Sequence, residues 1–212
     1  MTQIRIHSLV AYDRGGKARW LLTEMGMPYE TRWINREKKE NESPEYLRLN
    51  PMGRVPVAEI DDQAIFESSA ICSYLADRFM EKGMAPVLSS PERAKYQQWM
   101  YFAAATIDPI MARMMIIEDM PAGELRTQKE SAMMEDFNDA MIALDNTLSK
   151  ESFLVGNRFS TADICVGYHL YFCSLWSEFN EVIGKFPSVA SYLQRLKEMP
   201  SAIQAKVFSY EG

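Results

Sequence analysis

Around residue 83 the hydrophobic period of this 212-residue chain changes, and that change restricts the fold more than any other feature. Before it, apolar residues shift between the two-residue spacing of strands and the three- and four-residue spacing of helices. After it, only the helical spacing recurs. The stretch between, Lys82-Gly83-Met84-Ala85-Pro86-Val87-Leu88-Ser89-Ser90-Pro91, gathers two prolines, a glycine and two serines, the composition of a linker. Three parts are expected: a first domain over residues 1–82, a linker over 83–90 and a second domain over 91–212.

In the first part Ile4 and Ile6 alternate with polar residues. Ala18, Leu21, Leu22 and Met25 then recur at helical spacing up to Gly26, a helix-stop signal. Tyr29, Thr31 and Trp33 alternate again. After the segment from Pro44 to Leu49, Val55 to Ile60 and Ala64 to Phe66 read as a hairpin around Asp61-Asp62. Ile71, Leu75 and Phe79 share a helical face whose N-cap is Ser68 or Ser69. The order β-α-β then β-β-α is that of a small α/β layer.

The second part reads as helices throughout. Ser90-Pro91 opens one that continues through Trp99, Phe102, Ile107, Ile110 and Met114, with Pro109 expected to kink it. Met133, Phe137, Met141, Leu144 and Leu148 mark the next. Ser160-Thr161-Ala162-Asp163 forms a capping box, with Phe159 and Ile164 at the positions of a hydrophobic staple. The run from Ile164 to Trp176 is apolar nearly all round, as in a helix surrounded by others, and Val189, Tyr192, Leu193 and Leu196 give one more helix. The expected fold class is therefore α/β plus all-α: a βαβ-ββα domain followed by an all-helical bundle.

Composition narrows the function. The net charge is −6, which repels a polyanion and argues against nucleic acid as a partner. Residues 1–82 are nearly neutral (net −1) and the remainder carries −5, so an anionic ligand should prefer the first part. Cys72, Cys165 and Cys173 contain no Cys-x-x-Cys pair and lie in apolar stretches, as free thiols of a cytoplasmic protein do. The first residues are too polar for a signal peptide, and Ile164 to Trp176 is too short to span a bilayer, so no membrane association is expected. With only His7 and His169 and no cysteine cluster, no metal site is expected either.

The most informative stretch is Asn50-Pro51-Met52-Gly53-Arg54-Val55-Pro56-Val57, because a proline inside a strand-like run removes a ladder hydrogen bond. A cis Val55-Pro56 bond would turn the Val55 N–H and C=O outward, able to pair with an extended peptide. The alternative is a trans proline on an edge strand. Eleven residues on, Glu67-Ser68-Ser69 opens a helix whose N–H groups and dipole attract a carboxylate, while Glu67 suits an ammonium. Together they fit an amino-acid head group; taken singly, Ser68 and Ser69 are plain caps and Glu67 a solvated charge.

With these motifs, Tyr74-Leu75 in the helix after the Glu-Ser pair and the Phe-Ser-Thr-Ala-Asp capping motif, nearly the whole chain resembles the cytosolic glutathione S-transferases. The resemblance implies a thioredoxin-like N-terminal domain, a helical C-terminal domain and a homodimer. It implies a transferase joining the glutathione thiolate to a small apolar electrophile, with glutathione as co-substrate and no metal. Val55 would pair with the cysteinyl backbone, Glu67 and Ser68 would take the γ-glutamyl end, and Arg54 would lie near the glycyl carboxylate. Glu42 stands where some classes have a lysine, so Lys38 or Lys39 would serve that end, or that contact is missing. Other uses of the same first site are an isomerase, peroxidase or dehalogenase, or a carrier or scaffold without turnover.

Two hydroxyls compete as donor to the thiolate. Ser8 falls where tyrosine-type classes keep their tyrosine, and Tyr12 where serine-type classes keep their serine. Tyr12 is favoured because a loop residue before a helix N-terminus can reach a thiolate held at Val55, with Arg14 as a nearby cation. The cysteine-type classes are set aside, since residues 1–71 contain no cysteine. For the second substrate, Tyr101, Ile107, Met111, Met114 and Met115 are candidates, although the same spacing serves bundle packing.

Overall fold

The computed structural model describes residues 2–61 and 63–210. Two compact units result: one comprises residues up to Ala85 together with those from Lys197 onward, and the other is Pro86–Leu196. The division between the units lies at Ala85–Pro86. The stretch from Lys197 onward groups with the first unit.

The first unit is thioredoxin-like. Its strands are β1 (Ile4–Ser8), β2 (Glu30–Trp33), β3 (Val57–Ile60) and β4 (Gln63–Phe66), in the sheet order β2-β1-β3-β4. β1 and β2 run parallel, whereas β3 is antiparallel to β1 and β4 antiparallel to β3. A parallel neighbour requires a crossover, supplied by helix α1 (Gly16–Glu24), which buries Ala18, Trp20, Leu21 and Leu22 completely. That helix stops where the sequence signals it. Gly26 adopts a φ of 65°, and the Gly26 and Met27 N–H groups donate to the Thr23 and Leu22 carbonyls at 3.0 and 2.9 Å, the paired bonds of a left-handed helix end.

Helix α2 (Pro44–Leu49) starts with a serine cap, the Tyr46 N–H donating to Ser43 Oγ at 3.2 Å. Helix α3 (Ser68–Arg78) starts one residue earlier than a serine cap requires. Its N-cap is Glu67, held at a φ of 71°, and Ser68 and Ser69 lie within the first turn. In the expected Asp61-Asp62 turn, Asp61 has a φ of 54°, and Asp62 lies outside the described residues. The returning C-terminal stretch carries helix α10 (Pro200–Gln204), which packs on α1. Trp20 explains the return: its indole N–H donates to Ser201 Oγ at 3.0 Å and Phe208 meets its ring edge-on at 5.1 Å, giving a large buried side chain both polar and apolar cover.

The second unit is helical, as expected. Helices α4 (Glu92–Phe102) and α5 (Asp108–Glu118) are joined without a break by a π turn over Ala103–Ile107. Pro109 accounts for it, since proline lacks an N–H and its ring collides with the carbonyl four residues back; a wider turn relieves both. The Asp108 N–H reaches back to the Ala103 carbonyl, which also lies 3.0 Å from His169 Nδ1. Among the described residues, the continuous helix Glu92–Glu118 is, by length and composition alone, long and apolar enough to cross a membrane. In this fold its Trp99, Ile107, Ile110 and Met114 are buried in the bundle.

Helices α6 (Glu124–Leu148), α7 (Thr161–Cys173), α8 (Ser177–Gly184) and α9 (Pro187–Lys197) complete the unit. The capping box at Ser160 and Asp163 is present. Asp163 is fully buried and accepts from the Leu154 N–H, the Ser160 N–H, the Ser160 hydroxyl and the Tyr192 hydroxyl at 2.8–3.0 Å. Burial nevertheless outweighs these four donors and raises its carboxyl to about 6.

Candidate functional site

Strand register brings the three informative segments to one end of the sheet. His7 stands opposite Val57, Val57 opposite Phe66, and Ser8 opposite Trp33. The residues that leave this row at the same end are the loop 9–15, the Val55-Pro56 pair and Glu67-Ser68. Separated by up to sixty positions in sequence, they share an edge because β3 is antiparallel to both of its neighbours.

The Val55-Pro56 peptide is cis, as the strand-addition reading expects. The turn before it is held by side chains. Tyr46 Oη and Asn50 Nδ2 both donate to the Arg54 carbonyl, at 2.9 and 2.8 Å, and Asn41 Nδ2 donates to the Gly53 carbonyl at 3.0 Å. Gly53 has a φ of 62°, and a Cβ there would lie 3.0 Å from the Asn41 carbonyl oxygen, so glycine is needed twice over. Val55 packs on the small core of Ile34, Tyr46 and Val57, and neither its N–H nor its C=O finds a partner among the described residues. An extended ligand can use both. Across from it, the Glu67 carboxylate is exposed and makes no capping bond, which leaves the first amides of α3 directed at whatever anion approaches. Ser68 is buried at the first helical position.

The loop between β1 and α1 separates the two hydroxyl candidates. Ser8 is fully buried, and its Oγ accepts from the Arg19 guanidinium. Tyr12 is 41% exposed, its ring edge-on to Tyr210. Arg14 is half-buried in the same loop. Two residues that sequence reasoning passed over organise the loop. Asp13 accepts from the Leu9, Val10 and Gly15 N–H groups at 2.5, 3.3 and 2.8 Å, and buried Arg19 donates to Ser8 and to the Ala11 carbonyl. The Arg19 guanidinium also lies 5.4 Å over the Trp33 ring. A Cβ on Gly15 would land on Ser8 Oγ and come within 2.8 Å of Asp13 Oδ1, which explains the glycine. The signal available in sequence was Asp13 two residues before Gly15-Gly16, a side-chain-to-backbone turn pattern.

Beneath the row, His7 is fully buried with Nε2 2.7 Å from Glu59 Oε1, and burial lowers its basicity despite the carboxylate. A neutral ring donating Nε2–H to Glu59 fits that geometry. The remaining ligand candidates are exposed: Arg54, and Lys39, whose ammonium lies 3.7 Å from Glu42.

In the helical unit the second-substrate candidates do not share one face. Ile107, Met111 and Met114 are buried at 0, 7 and 6% exposure, whereas Tyr101 and Met115 are 72 and 53% exposed. The three buried residues follow the spacing that packing requires and belong to the bundle core. Met114 also borders a cavity of about 610 Å³ lined in part by Arg126, Glu130 and Trp176. Among the described residues no cluster of three metal-ligating side chains occurs.

Comparison with known proteins gives a consistent picture. Residues 15–78 match the family profile "Glutathione S-transferase, N-terminal domain", and residues 109–205 match "Glutathione S-transferase, C-terminal domain". Glutathione S-transferase 1 of Schizosaccharomyces pombe is 34% identical over 179 residues, covering 78% of this chain and 72% of the relative. Elongation factor 1-gamma of Prunus avium is 33% identical over 162 residues, 76% of this chain but 37% of the longer relative. Among solved structures, the glutathione transferase URE2P6 of Phanerochaete chrysosporium, determined with oxidized glutathione, superposes with a TM-score of 0.86 at 24% identity, covering 97% of this chain and 95% of that one.

Proposed function

This chain belongs to the glutathione S-transferase family, and on that premise we propose that it joins the thiolate of glutathione to an electrophilic carbon of a small apolar substrate. The observation that carries the reading is the meeting of the cis Val55-Pro56 pair, the uncapped start of α3 and the β1–α1 loop at one end of the sheet. Glutathione is an extended peptide with an amino-acid head, and those are the two chemistries this edge offers. Val55 pairs with the cysteinyl backbone, the α3 amides and Ser68 take the γ-glutamyl carboxylate, and Glu67 takes the ammonium. Arg54 and Lys39 attract the glycyl carboxylate, and Arg14 adds positive potential.

In the reaction a sulfur–carbon bond forms, the thiol proton leaves to solvent, and the electrophile either loses its leaving group or takes up a proton. A free thiol is only about 3% ionised at pH 7, and lowering its pKa by about two units raises the thiolate about 25-fold. In this proposal Tyr12 supplies that stabilisation by donating its hydroxyl to the sulfur, and the remaining acceleration comes from holding the reactants together. The proposal extends to a cytoplasmic homodimer.

A second reading has its own support: relatives named as elongation factor 1-gamma match about three quarters of this chain, and a binding module on this fold would keep the glutathione edge without turnover. Calorimetry with glutathione and a thiol-consumption assay against a panel of electrophiles separate the two. The transferase reading expects binding, turnover and a loss of affinity of about 10-fold or more in Glu67→Ala, since that change removes a charged partner of the ammonium. Unchanged affinity in the variant would exclude the site. Binding without thiol consumption would favour the module.

A further inference from the structure

We infer that Tyr210 is a positioning residue for Tyr12, and that the returning C-terminal stretch thereby sets how firmly the thiolate donor is aimed. This rests on the reading of Tyr12 as that donor. The loop backbone around Tyr12 is pinned by Asp13 and Arg19, but those contacts stop at the main chain and leave the phenol 41% exposed. The Tyr210 ring meets it at 4.8 Å between centroids and 85° between planes. That is the edge-to-face geometry favoured by aromatic quadrupoles.

The partner is not a loose end. Ser201 accepts from the Trp20 indole and Phe208 packs edge-on against the same indole at 5.1 Å, so the chain leading to Tyr210 is tied twice to α1. One helix therefore anchors both rings, Tyr12 through the loop that enters it and Tyr210 through the segment that lies on it. A tyrosine without a neighbour distributes itself over three χ1 wells, of which one aims the hydroxyl at a given point. Confinement to that well raises the effective donor by up to about threefold, and an aromatic pair of this kind corresponds to roughly 2- to 10-fold in population. Tyr210's own hydroxyl has no part in this; its ring does.

The test compares Tyr12→Phe, Tyr210→Phe, Tyr210→Ala and the double variant Tyr12→Phe/Tyr210→Ala. Each is measured for the pH midpoint of thiolate absorbance in its glutathione complex, for kcat and for KM of glutathione. Tyr210→Ala should raise the midpoint in the same direction as Tyr12→Phe but less, and lower kcat by up to about threefold with KM unchanged. Tyr210→Phe should match the unaltered protein, and the double variant should be no worse than Tyr12→Phe alone. If Tyr210→Ala moves neither midpoint nor kcat while Tyr12→Phe does, the inference is wrong and the donor reading stands. Additive losses in the double variant would also overturn it, since Tyr210 would then act independently of Tyr12. If Tyr12→Phe changes nothing, the donor reading fails and the inference falls with it.

Discussion

Arg19 shows what a single side chain can organise. Buried in the first unit, its guanidinium donates to Ser8 Oγ and the Ala11 carbonyl, lies 3.8 Å from Asp13 and stacks over Trp33. Lysine could keep the charge but not the planar fork that makes several of these contacts at once. Arg19→Lys should therefore destabilise the protein by about 1–3 kcal/mol and weaken glutathione binding by loosening the loop. Urea denaturation and calorimetry on the same variant check both effects, and an unchanged unfolding midpoint would contradict this account. None of this was legible in sequence, where Arg19 was one cation on a helix, because its partners at positions 8, 11, 13 and 33 converge only in the fold. Val55-Pro56 and Gly26 were legible, because the constraint each imposes is written into its own backbone. The burial of Ser8 was hidden for the same reason, since its partner Arg19 reaches it only in the fold.

At the level of elements, helix α7 depends on its first turn. Asp163→Asn keeps one acceptor oxygen for Leu154 and Tyr192 but turns an amide NH₂ toward the Ser160 donors, so a loss of about 2–4 kcal/mol is expected. The loss should vary with pH. Asp163 is raised to about 6 in the folded protein from an ordinary value near 3.8, so between about pH 4 and 6 the folded state binds more protons than the unfolded one. Its contribution to stability therefore falls as pH rises through that window. The stability gap between the unaltered protein and Asp163→Asn should accordingly be wider at pH 4.5 than at pH 7 in chemical denaturation, and a gap that widens toward neutrality would contradict the raised value.

The capping box itself was plain in the sequence, since its residues are local. Helix α8 was not: Phe179, Val182 and Ile183 give only one turn of apolar spacing directly after the apolar run that ends at Trp176. The kink expected at Pro109 is met by a π turn one step upstream, because a helix can absorb the missing N–H by widening as well as by bending.

On the scale of the whole molecule, the proposed homodimer has a direct measurement. Phe66 on β4 is 40% exposed, and Tyr101 and Ile116 on the long helix are 72 and 66% exposed. Light scattering at micromolar concentration should return about twice 24.4 kDa, and a mass of 24.4 kDa would refute the dimer. The division into a mixed sheet unit and a helical unit was readable from the change of period near residue 83, whereas the return of the C-terminal stretch was not, since nothing in α10 announces which unit it will join. That return bears on the order in which the protein is made. The first unit is interrupted by Pro86–Leu196, so at about 5–20 residues per second its last segment leaves the ribosome roughly ten seconds after the sheet is complete. During that interval the Trp20 indole lacks Ser201 and Phe208, so the sheet forms before the side chains that cover its first helix exist.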